Sequence, residues 1–84
     1  MDEIRAWLTA LPVDAANEVI TLWPSDRFAA KLRFGQFVAH LDDLWWPSRD
    51  DVIVVDQRGA MPKVLVIDHE ERLTFGVLDD SWPR

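Results

Sequence analysis

Apolar residues recur along this chain with two different periods, and the change falls near its middle. In residues 3–11, Ile4, Trp7, Leu8 and Leu11 follow the i, i+3, i+4, i+7 spacing of one helix face. Asp2 suits the N-cap and Pro12 stops the helix. A second segment opens at Asp14 and ends before Pro24. We assign it to a helix over 14–22, although Val19-Ile20-Thr21-Leu22-Trp23 would suit a strand as well. A long helix is then expected over about 26–45, capped by Ser25 or Asp26. Phe34, Phe37, Val38, Leu41, Leu44 and Trp45 form its apolar stripe, and Phe28 and Leu32 start an offset row. Gly35 costs about 1 kcal/mol inside a helix relative to Ala, so it marks a kink or a close approach. Pro47 closes the helix, and Trp46 before it is pushed out of the α region.

Beyond Pro47 the pattern becomes short apolar runs separated by polar turns. Val52–Val55, Lys63–Ile67 and Leu73–Leu78 read as strands, joined by turns at 56–60 and 68–72. Turns this short imply antiparallel neighbours, a three-stranded meander. The expected fold class is therefore α+β: helices at about 3–11, 14–22 and 26–45 packed on a meander of about 52–55, 63–67 and 73–78, in one domain over 1–84. The first two strands are apolar on both faces, so both faces need covering. We expect the long helix on one face and the two shorter helices on the other. A second copy of the chain, making a homodimer, is the alternative.

Charge changes the picture more than composition does. The formal net charge is −6, from 15 acidic and 9 basic side chains. Residues 1–39 carry five acids against four bases, and residues 40–84 carry ten against five. Nucleic-acid binding runs on phosphate neutralisation by Lys and Arg, so a nucleic-acid partner is not expected, and neither is an anionic membrane. No apolar run approaches the roughly 20 residues of a membrane span, and the acidic N-terminus does not resemble a signal peptide. With no cysteine, disulfides and thiolate-held metals are excluded. A cytoplasmic location is the expectation.

Catalytic chemistry finds little to work with. His40 and His69 could join a carboxylate around zinc, but their spacing does not demand it. Ser25, Ser48 and Ser81 sit on no nucleophile turn, and three glycines make no phosphate-cradling loop. We expect no enzyme, no metal and no cofactor. What stands out is Asp42-Asp43-Leu44-Trp45-Trp46-Pro47-Ser48-Arg49-Asp50-Asp51, two tryptophans between two acidic pairs. Glu70-Glu71 and Asp79-Asp80 repeat the acidic pair. Alternate turns of a meander lie at opposite ends of the sheet. Asp50 and Asp51 are therefore expected beside Glu70 and Glu71, with Asp42, Asp43 and Trp46 nearby. Acidic groups around an aromatic anchor suit a basic protein partner. Trp45 is expected in the core, Trp46 either over the sheet edge or as the anchor, and Trp82 as a clasp or an arm. The plainer alternative is that these Asp residues only form turns and helix ends.

The run from Leu44 to Asp56, followed by Ile67-Asp68-His69-Glu70-Glu71 and Leu73-Thr74-Phe75, resembles a pattern in small bacterial immunity proteins of polymorphic or contact-dependent growth-inhibition toxin systems. The resemblance covers about 30 residues. It implies a protein that binds one cognate toxin, often a basic nuclease, and covers its active site with acidic groups. It transfers no individual binding residue. The other reading is a self-associating accessory protein without a toxin partner.

Overall fold

The computed structural model describes residues 2–45, 51–58 and 61–77. Helix α1 spans Asp2–Ala10. Strand β1 (Glu18–Trp23) turns through Pro24–Asp26 into β2 (Phe28–Arg33). Helices α2 (Phe34–Ala39) and α3 (Leu41–Leu44) follow, then β3 (Val52–Asp56), β4 (Lys63–Ile67) and β5 (Leu73–Val77). The strands form one antiparallel sheet in the order β2-β1-β3-β4-β5. The α+β class is as expected, with five strands in place of three.

Two expected helices are corrected. Segment 14–22 contributes a strand, because five successive strand-compatible residues outweigh its weak helical start. Segment 26–45 is divided. Residues 28–33 pair with β1 in the register Trp23↔Phe28 to Glu18↔Arg33, and only 34–44 is helical. The hairpin turn has Arg27 in the left-handed region at φ 52°, its N–H bonded to the Pro24 carbonyl at 3.2 Å. Ala29, Ala30, Lys31, Leu32 and Arg33 are good helix formers, but pairing decides over propensity here. The edge position suits this strand, since exposed Lys31 and Arg33 discourage further pairing.

The apolar stripe survives the shortening. Phe34, Phe37, Leu41 and Trp45 are buried, and Val38 and Leu44 pack against them. Helix α1 adds buried Leu8, with Ile4, Trp7 and Leu11 alongside. All three helices lie on one face of the sheet, against Val19, Trp23, Val52, Val54, Leu65 and Ile67. The arrangement with helices on both faces is not adopted, because the segment meant for the second face is itself a strand.

Polar contacts fix this layer. Helix α2 begins with free backbone donors. The Asn17 carbonyl accepts from Phe34 N and the Ala15 carbonyl from Gly35 N, both at 2.9 Å. Gly35 is the expected close approach, since a Cβ there would stand 3.2 Å from both Cβ and O of Ala15. The Trp23 indole donates to the Leu44 carbonyl at 2.6 Å, tying α3 to β1. Buried Asp56 accepts from the Asn17 side chain (3.2 Å) and Arg58 N (3.0 Å), closing the far end of β3 onto the loop before β1.

One core position is under-used. Thr21 is fully buried, and its hydroxyl has no hydrogen-bond partner among the described residues. Removing an unpaired buried hydroxyl recovers its desolvation cost. Thr21→Val should therefore raise unfolding stability by about 1 kcal/mol, whereas Phe37→Ala should lower it by about 3–5 kcal/mol. Urea melts of both variants check the pair.

Candidate functional site

Strand register sets which charged groups meet. The β1–β2 turn, the start of β3 and the β4–β5 turn share one end of the sheet. Among the described residues this end holds Asp26, Asp51, Asp68, Glu70 and Glu71 against Arg27 and Arg72, a formal −3 with His69 neutral. The opposite end holds Asp14, Glu18 and Asp56 against Arg33, Arg58 and Lys63, a balance of zero. The acidic excess is thus concentrated at one end.

Within that end the carboxylates have separate tasks. Asp68 builds the β4–β5 turn. Its Oδ1 accepts from Glu70 N (2.9 Å) and Arg72 N (2.8 Å), and its Oδ2 from Arg72 Nε (3.0 Å). The Arg72 backbone bond and its companions hold the Asp68 carboxyl below the usual range, offset by partial desolvation. Glu71 then takes φ 63°, the left-handed residue that closes the turn. Asp51 latches β3 to this turn. Its Oδ1 accepts from His69 N at 2.8 Å and from His69 Nδ1 at 3.0 Å. The His69 side-chain bond is the main reason that Asp51 titrates below its ordinary range, and the same bond raises His69. Glu70 pairs with Arg72.

The anticipated site residues therefore divide. Asp51, Glu70 and Glu71 are brought together at the turn end. Glu71 has no cation against it among the described residues, while Asp51 and Glu70 also serve the turn. Asp42 and Asp43 stand on α3, and Asp42 Oδ1 lies 3.5 Å from Arg5 Nη2 of α1. Trp46 and Asp50 lie outside the described residues, as do Asp79, Asp80 and Trp82. Trp45 is buried, as expected. His40 lies at the exposed junction of α2 and α3, and no group of three metal-binding side chains forms among the described residues. The Asp51–His69 pair resembles a base with its orienting carboxylate, yet its imidazole is bonded to no described hydroxyl. Clefts beside Trp23 and Phe28, and between α1 and α2 at Val13 and Phe34, are lined mainly by apolar groups.

Sequence reasoning missed the organiser of the β4–β5 turn and the part that β1 plays in the sheet. Asp68 organises the turn, a role signalled by an Asp that opens a five-residue polar stretch. The two-sided apolar character expected of β3 and β4 extends to β1, on the sheet face away from the helices. There Ile20, Leu22, Ile53, Val55, Val64 and Val66 are half-buried, and no described helix covers them. The apolar run Val19–Trp23 carried the signal, but only a strand assignment puts Ile20 and Leu22 on this face. No protein-family model, curated protein or solved structure matches the chain, and no described helix is long and apolar enough to cross a membrane.

The Asp51–His69 latch has a definite pH window. The lowered Asp51 stabilises the fold above its ordinary 3.8, and this is lost as pH falls through its folded value. The raised His69 stabilises fully below its ordinary 6.5, and this is lost as pH rises through its folded value. The latch is complete between those two values. In a proton NMR titration the His69 ring should titrate above 6.5 in the parent, and Asp51→Asn should return it toward that ordinary value. An unchanged titration in the variant would remove the latch.

Proposed function

We propose that this chain is a non-catalytic, cytoplasmic protein-binding domain that recognises a basic partner through the acidic end of its sheet. Its most concrete form is an immunity-type inhibitor. Carboxylates would meet the Lys and Arg groups with which a toxin nuclease holds its substrate phosphates, and so occlude them. The observation that supports this reading is the polarity of charge: −3 at the turn end among the described residues, against zero at the other.

Such a field acts first on encounter. Oppositely charged surfaces raise association rates and suppress wrong partners, an effect that salt screens. The latch and the Asp68 turn keep the carboxylates in one arrangement before the partner arrives, which reduces the ordering cost of binding. Glu71 is the group best placed to act on the partner alone. Asp51 and Glu70 contribute charge while holding their own turn. Trp46 is the proposed apolar anchor, with Asp42, Asp43 and Asp50 as further charges.

The test is affinity capture from the native host, with the chain as bait, at low and high salt. A basic protein should be retained at low salt and lost at high salt. Glu70→Lys combined with Glu71→Lys should reduce its capture at least tenfold while the chain's melting temperature changes little. Capture that survives both the substitutions and high salt would overturn the acidic-end reading.

A further inference from the structure

The open sheet face is organised as two rows that cross all five strands. Register aligns Lys31, Ile20, Val55, Val64 and Gly76 in one row. It aligns Ala29, Leu22, Ile53, Val66 and Thr74 in the other. The three central strands thus present six aliphatic side chains as one block, two per strand. At its margins the residues are small (Ala29, Thr74, Gly76), apart from Lys31. A contiguous apolar patch of a few hundred Å² on one chain is often a functional surface. The opposite face already takes α1, α2 and α3.

We infer that this face is the interface of a homodimer, with the same face of a second copy as its occupant. Charge permits that occupant. The chain carries −6, so two copies repel unless the acids stand away from the contact. On the described strands of this face the one acid is Glu18, and it stands opposite Arg33 in the β1–β2 register. The acids of the acidic end lie beyond the strand termini. A flat aliphatic block is also complementary to itself under a two-fold axis, the isologous arrangement of most dimers. Two such sheets stack about 10 Å apart with strands crossing near −30°. The product has four layers, helices outside and two sheets within, with an acidic end exposed on each copy.

The area gives the size class of the contact. Five strands about 4.8 Å apart, each giving roughly 15–17 Å of length, offer about 400 Å² per copy. A total near 800 Å² is at the weak end of specific interfaces. The dimer should therefore form in the micromolar range and depend on concentration. Screening of the like charges should make added salt strengthen it, opposite to the salt response of capture at the acidic end. The dimer does not depend on the acidic-end reading.

Sedimentation velocity of the full chain from about 1 µM to 1 mM tests this. The expected result is a monomer–dimer equilibrium that shifts toward dimer in high salt. Val55→Lys with Val66→Lys should leave a folded monomer at every concentration. If that variant does not fold, Val55→Thr with Val66→Thr keeps the strand-forming character and should still weaken the dimer at least tenfold. In a mixed sample of differently labelled chains, NMR should show intermolecular contacts between Ile20, Val55 and Val64. A parent chain monomeric across the range would overturn the inference. So would a monomer that dimerises only after removal of residues 78–84, which would make that segment the occupant. Dimerisation unchanged by either double variant would overturn it as well.

Discussion

The pairing of β1 with β3 joins two parts of the chain that would otherwise be separate. Residues 18–33 make a hairpin and residues 52–77 a meander, and both are local structures. Ile20↔Val55, Thr21↔Val54 and Leu22↔Ile53 fuse them into one sheet across some thirty residues. A hairpin alone is marginal in water, and neither unit has enough apolar surface to make a core. Once joined, they offer one continuous face for α1, α2 and α3. Bringing distant strands together costs loop-closure entropy before any contact rewards it. The side-chain bonds around this junction offset part of that cost. Asp56 holds Asn17 at one end of β3, and Trp23 holds Leu44 at the other end of β1.

The same junction creates both candidate surfaces. It aligns the outward residues of three central strands, so the face away from the helices becomes one aliphatic block. It also leaves the β1–β2 turn, the start of β3 and the β4–β5 turn at a common end, where the acids gather. The two surfaces differ in chemistry and lie on different sides of the molecule, so self-association and capture of a basic partner would not compete. Because the block is nearly free of acids, the negative charge can serve a partner without keeping like chains apart.

The acidic end also shows why counting carboxylates overstates a binding surface. Asp68 is occupied by three donors of its own turn, Asp51 by two from His69, and Glu70 by Arg72. These groups keep their charge, yet much of their hydrogen-bonding capacity is used within the chain. Turn-forming and recognition are not alternatives for such residues. The internal bonds fix where the charges stand, and Glu71 is itself the left-handed residue that closes the turn.

Much of this was legible in the residues themselves. The stripe Phe34, Phe37, Val38, Leu41, Leu44 and Trp45 marks a buried helical face, although the helix is split at His40. The strands at 52–56, 63–67 and 73–77 follow their apolar runs. The meeting of Asp51 with Glu70 and Glu71 follows from the alternation of turns in a meander. By contrast, Ala29-Ala30-Lys31-Leu32-Arg33 carries helical propensity and becomes a strand because β1 supplies its hydrogen-bond partners. Val19–Trp23 is ambiguous locally and becomes strand because β3 and β2 lie on its two sides. Local spacing and propensity determined the helical faces, the turns and the two-sided apolar strands, since those depend on neighbours a few residues away. Which segments paired, and therefore which apolar face the helices left open, was decided only by tertiary structure, because a strand's stability lies in bonds to distant residues.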